Sequence, residues 1–187
     1  MHTLLRGLAL AFLVAAVGCY PAEAQDAKKG TVVEFDNLKS TTPATWKSEE
    51  PTNKMRYMQF KVVKAAGDKD DAELIIFKGL GGSAEQNIDR WKKTFTPPEG
   101  KKIDDVAKVT KIEVGKHPAH YLDVTGTYMF NPQPFNPQSK AEPRENYRML
   151  AIHFEGPENV YHIRLTGPAK TIEAAKKGFD DWFNGMK

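Results

Sequence analysis

From Thr31 onward the chain alternates short apolar runs with polar punctuation, and the dominant period is two, the period of a strand with one face buried. "TVVEF" (31–35) reads as a short strand. "MRYMQFKVV" (55–63) sets Met58, Phe60 and Val62 on one face and Tyr57, Gln59 and Lys61 on the other. "AELIIF" (72–77) is continuously apolar, as a strand covered on both faces should be. "KVTKIEV" (108–114) and "AHYLDVTGTYMF" (119–130) are two further strands joined by the tight turn "GKHP" (115–118). "YRMLAIHF" (147–154) and "VYHIRLT" (160–166) form a hairpin around "GPEN" (156–159). Trp46, in "PATW", is predicted as a core aromatic beneath an irregular loop.

The hairpin fixes its own register. Opposing Glu155 to Val160 sets Phe154 against Tyr161, Ile152 against Ile163 and Leu150 against Leu165. A slip of one residue would expose every one of these side chains. The same register places His153 opposite His162 on the other face.

Two segments break the period. In "SAEQNIDRWKKTF" (83–95), Ser83 and Gln86 stand at capping-box spacing, and Ile88, Trp91 and Phe95 form one stripe that faces the sheet. Pro97 and Pro98 end that helix. A second helix opens at Gly167-Pro168, with proline suited to the first helical position, and Ile172, Ala175, Phe179, Trp182, Phe183 and Met186 continue its apolar stripe. Gly178 inside it costs about 1 kcal/mol relative to alanine, so packing must hold the helix. Tight turns between strands imply antiparallel pairing. The fold class is therefore α+β: an antiparallel sheet of about six or seven strands covered by helices.

The first 24 residues stand apart from this pattern and read as a signal peptide. Arg6 marks a basic start, and "GLALAFLVAAV" (7–17) is apolar but too short to span a bilayer. Two exits remain open: cleavage after Ala22-Glu23-Ala24, or a lipobox-like "AVGC" that makes Cys19 the lipidated first residue. Either exit exports the chain to the periplasm or the cell envelope, with residues 25–30 as a polar tether and 31–187 as a single domain. A domain of this length buries roughly 68–70% of its unfolded surface and needs no covalent staple.

Cys19 is the one cysteine, so a mature chain starting at residue 25 has no disulfide framework, thiolate zinc site or cysteine nucleophile. The net charge is +3, and the lysine pairs at 28–29, 92–93, 101–102 and 176–177 are interleaved with acids. Such dispersal argues against a nucleic-acid partner, which needs basic residues gathered on one surface.

Four features are weighed for chemistry. "GLGGSA" (79–84) satisfies a dinucleotide fingerprint in letters only. The acidic residue expected about 20 positions on falls in the loop around Glu99, and the strands that follow are hairpins. The glycines are a turn, and no phosphate site is expected there. His153 and His162, as a cross-strand pair, supply two metal ligands where zinc takes three or four, and nothing in the sequence brings His117 and His120 to them. The Pro-rich loop 131–146, with Phe135, Asn136 and Pro137 at its centre, is the first choice for an interaction surface. Asp123 has no visible partner, and the serines sit in loops or caps without a nucleophile elbow.

"FDNLKSTTPATWKSE" (35–49), "DAELIIFKGLGGSAEQNIDRWKKTF" (71–95), "HYLDVTGTY" (120–128) and "YHIRLTGPAKTIEAAKKGFDDWF" (161–183) together resemble a group of uncharacterised exported bacterial proteins. Their layout is similar to the PsbP-like α/β/α sandwich. That resemblance implies a non-enzymatic accessory, assembly or binding protein, and it supplies no catalytic residue. The expectation is thus a non-catalytic exported envelope protein, without cofactor, whose partner is an envelope protein or a small ligand and whose one route to the membrane is a lipid anchor at Cys19. The alternative is a small-ligand or metal-binding periplasmic protein that uses His153 and His162. An envelope hydrolase with an unfamiliar site is the third reading.

Overall fold

The computed structural model describes residues 29–187 except 134, 135 and 137. The stretch expected to be a signal peptide, both of its expected exits, Cys19, Phe135 and Pro137 therefore lie outside the described residues. Among the described residues ten strands and two α-helices follow one another: β1 (Val32–Phe35), β2 (Leu38–Thr41), β3 (Trp46–Glu49), β4 (Arg56–Val62), β5 (Ala72–Lys78), α1 (Ala84–Lys92), β6 (Phe95–Thr96), β7 (Ala107–Val114), β8 (His117–Phe130), β9 (Glu142–Glu155), β10 (Val160–Pro168) and α2 (Ala169–Asn184). A single 3₁₀ turn, Ile103–Asp105, precedes β7.

β1 and β2 form a separate hairpin. The other strands make one sheet of eight among the described residues, in the order β3-β4-β5-β10-β9-β8-β6, with β7 pairing β8 beside β6. All pairings are antiparallel. The sheet is larger than the six or seven strands expected, because Trp46 begins a strand instead of lying under a loop and Phe95 forms a short strand of its own. The last hairpin keeps the predicted register at every rung, from Glu155 opposite Val160 to Leu150 opposite Leu165. The β7–β8 turn is made by Gly115 and Lys116, both at positive φ (57° and 68°), as two-residue hairpin turns require.

The two faces of β9 and β10 feed different cores. Leu150, Ile152, Phe154, Tyr161, Ile163 and Leu165 meet the α2 stripe of Ile172, Phe179, Trp182 and Phe183, together with Val33 and Phe35 of the β1–β2 hairpin. On the opposite face Leu122, Val124, Met149 and Ala151 meet Ile88 and Trp91 of α1. The stripes predicted for both helices face these cores, with Ala175 only partly buried and Met186 lying beyond the end of α2, and two further corrections apply. α1 ends at Lys92, so Phe95 reaches the same core from β6. Pro168 caps α2 from outside, at φ −54° and ψ 139°, one position before the first helical residue.

Cover is unequal on the two faces. A helix is about 10 Å across and strands lie about 4.8 Å apart, so one helix shields roughly two strands. On the α2 face the β1–β2 hairpin extends the cover. On the other face the nine-residue α1 contacts β8 and β9, and the sheet surface over β10, β5 and β4 is left as a cleft.

Candidate functional site

The cleft begins with side-chain alternation on β10. Tyr161, Ile163 and Leu165 point to the α2 core, which sends His162 and Arg164 to the α1 face. Arg164 stands opposite Ala151 on one side and Ile75 on the other, so no neighbour in its row offers an acceptor side chain.

A bulge brings the second arginine. The β4–β5 register shifts between Arg56 and Met58, pairing Arg56 with Phe77 on the α1 face. Tyr57 is thereby turned toward Tyr161, with ring centroids 6.2 Å apart, and not to the face of Gln59 and Lys61 on which strict alternation puts it. Bulges re-aim side chains in this way. Arg90, from α1, is the third cation.

Two adjoining cavities occupy the cleft. The first, about 500 Å³, is lined by Arg56, Arg90 and Arg164 with His162, and by apolar Met55, Phe77, Leu80 and Trp91. The second, about 830 Å³, shares Met55, Arg56 and Arg164 and continues past Tyr128 and Phe130 to Asn136. Among the described lining residues the one carboxylate is Glu73, which Arg56 engages at 2.6 Å. Arg56 also donates to Gln59 Oε1 at 2.7 Å, and Arg90 donates to the Asn87 side chain. The Nε groups of both Arg56 and Arg164 are enclosed and have no hydrogen-bond partner among the described residues. The Arg164 guanidinium rests over the Phe77 ring, 5.1 Å from its centroid. Burial first, then the charges of Arg56 and Arg90, pushes the Arg164 pKa down from its ordinary value, with Tyr128 and Glu73 opposing. Arginine remains charged even so, and a charge placed this way lacks its counter-ion.

The "GLGGSA" turn forms one rim. Gly79 (φ 72°) and Gly82 (φ 97°) reverse the chain out of β5. Ser83 Oγ then accepts from the Gln86 N–H at 3.2 Å, and Gln86 Oε1 accepts from the Ser83 N–H at 3.0 Å. The predicted capping box is present and is filled by its own side chains, while Leu80 and Gly81 line the first cavity.

His153 and His162 are paired as predicted, with Nδ1 of the first 3.1 Å from Nε2 of the second and both rings buried. Burial, His153, Arg90 and Arg164, in that order, push the His162 pKa down to about 4. His153 is lowered by burial and by His120, against a partial rise from Glu155. His120, expected in the turn with His117, sits opposite His153 in the β8–β9 register, ring centroids 6.4 Å apart. No group of three His, Cys, Asp or Glu side chains among the described residues is placed to hold a metal ion.

Asp123 is not without a partner: Arg148 Nε and Nη2 donate to its two oxygens at 2.8 and 2.7 Å. In the Pro-rich loop, Asn136 Nδ2 donates to Gln133 Oε1 at 2.8 Å, and the loop ends earlier than predicted because Glu142–Asn146 already belong to β9. The three arginines escaped the sequence reading, although one signal was available. "VYHIRLT" is an apolar strand in which the alternate positions hold His162 and Arg164, and a charge at the centre of a middle strand needs a reason to be there.

No family model matches the chain, and no curated protein matches it. Among solved structures, the solution structure of cyanobacterial PsbP (CyanoP) from Synechocystis superposes with a TM-score of 0.50 at 11% identity, over 94% of this chain and 97% of that one. A Pseudomonas aeruginosa protein of unknown function, described as a putative regulator, superposes with a TM-score of 0.45 at 13% identity, over 82% and 93% of the two chains. The chain has an α+β fold like that of PsbP: a mostly antiparallel sheet with two helices.

Proposed function

We propose that this protein is an exported, non-catalytic binding module of the PsbP-like α/β/α type, and that the cleft over β4, β5 and β10 takes a small anionic ligand. One observation carries the reading: Arg164 holds a guanidinium at the centre of the sheet with an enclosed Nε that nothing else among the described residues satisfies. A partly buried charge whose Nε is enclosed and without a partner is costly, and an incoming anion removes that cost. The volume of the first cavity, about 500 Å³, lies in the range of small-molecule sites.

The test is thermal unfolding of wild type and Arg164→Met across a panel of carboxylates, phosphates and matched neutral alcohols. The reading expects at least one anion to raise the wild-type Tm and to leave the variant unmoved. Equal response of both proteins to every anion removes it.

A second reading keeps the metal. Two nitrogens sharing a tetrahedral zinc lie about 3.3 Å apart, close to the 3.1 Å between the paired imidazoles. Calorimetric titration with zinc or copper decides it: heat that disappears in His153→Ala supports the site, and no heat excludes it.

A further inference from the structure

We infer that the cleft's ligand is an amphiphile: a carboxylate or phosphate monoester head among Arg56, Arg90 and Arg164, carrying an apolar chain that lies on Met55, Phe77, Leu80 and Trp91. This rests on the anion reading above and adds what the rest of the molecule must be.

The argument starts from the composition of the walls. A cavity built for a free inorganic anion surrounds it with donors. Here three guanidinium groups, His162 and Asn53 share the lining with Met55, Phe77, Leu80 and Trp91, and most of the wall surface is apolar. The His162 ring contributes little polarity, because its Nε2 is taken up by His153 Nδ1 at 3.1 Å. Trp91 packs edge-on against that ring at 5.5 Å, which makes a rigid aromatic floor. Met55, which lines both cavities, leaves 46% of its surface in solvent, where an apolar chain could lie against it.

The charge balance gives the head its sign. Three guanidinium groups face one carboxylate, and that carboxylate is already bonded to Arg56. An arginine fork matches the paired oxygens of a carboxylate or phosphate. The second cavity meets the first along Met55, Arg56 and Arg164, so a long ligand is not blocked behind its head.

The experiment follows intrinsic tryptophan fluorescence during titration with hexanoate, octanoate and decanoate, with octyl phosphate, with octanol and with inorganic phosphate. Trp91→Phe assigns the signal. The expected result is affinity rising about fourfold per added methylene, the equivalent of about 0.8 kcal/mol, with octanol and inorganic phosphate each far weaker than octanoate. Octanoate against octyl phosphate shows which head is preferred. Binding must also fall at least tenfold in Arg164→Met, and circular dichroism confirms that this variant is folded. Binding that depends on Arg164 but not on chain length overturns the amphiphile and leaves the anion reading standing. Binding that grows with chain length yet persists in Arg164→Met overturns the anion reading itself.

Discussion

Acidification should weaken this fold through its buried histidine pair, and the size of the effect can be worked out at His162. His162 has an ordinary pKa of 6.5 in the unfolded chain and about 4 in the folded one. Between those values the unfolded chain binds a proton that the folded chain refuses, so stability rises with pH across the window and falls as pH drops through it. At roughly 1.4 kcal/mol per pH unit the gap amounts to about 3 kcal/mol. The groups that set it surround the ring: His153 on β9 with His120 and Glu155 beyond it, Arg164 on the same strand, and Arg90 and Trp91 on α1. His153 is depressed too, so the pair takes its first proton well below 6.5 as a unit. The assay is urea denaturation of wild type and His162→Gln in half-unit steps between about pH 7 and pH 4, in one buffer series. Exposed carboxylates act equally on both proteins and cancel in the difference. Wild type should lose about 3 kcal/mol more than the variant over that range. Parallel curves, or a native-state imidazole resonance that disappears in His162→Gln and titrates near 6.5 in the wild type, would refute the reasoning.

Three further outcomes are expected. Arg164→Met should raise the urea-derived stability by about 1–2 kcal/mol while removing anion binding, since it exchanges an unpartnered charge for an apolar side chain of similar length; a loss of stability would show that the guanidinium is satisfied after all. Asp36→Asn should cost about 2 kcal/mol in the same assay. Burial pushes that carboxyl up, but the Glu158 N–H, the Tyr161 hydroxyl and both donors of Asn159 hold it well below the usual range, and they tie the β1–β2 turn to the last hairpin. Gly126→Ala should cost about 1–3 kcal/mol, because φ is 153° there and a Cβ would stand 2.6 Å from the Thr96 carbonyl oxygen; an unchanged Tm would contradict the close approach of β6 to the β8 bulge.

How much was legible depended on whether a signal was local. The last hairpin was fully readable, because "GPEN" sets a register that the apolar residues on both sides then endorse. The Ser83–Gln86 box was readable for the same reason, since all of its partners lie within four positions. What strict alternation could not show was the bulge at Tyr57, where one extra residue turns Arg56 to the α1 face and Tyr57 away from it. Nor could local pattern bring His120 beside His153, a pairing fixed by how β8 and β9 close across the Pro-rich loop. The cleft was the hardest to see. It exists because a nine-residue helix is too narrow for an eight-stranded sheet, and width is a property of the assembled sheet.

The strand order also governs how the chain reaches this state. The N-terminal part of the sheet, β3-β4-β5, joins the remainder through β5 and β10, whose paired residues Lys78 and Tyr161 are far apart in the chain. β10 is the last of the described strands to be synthesised. Until it arrives, β5 has an open edge along "AELIIFK", an apolar segment inviting association with other chains. Folding therefore includes a late, long-range closure and should run on the millisecond-to-second scale of non-local sheets.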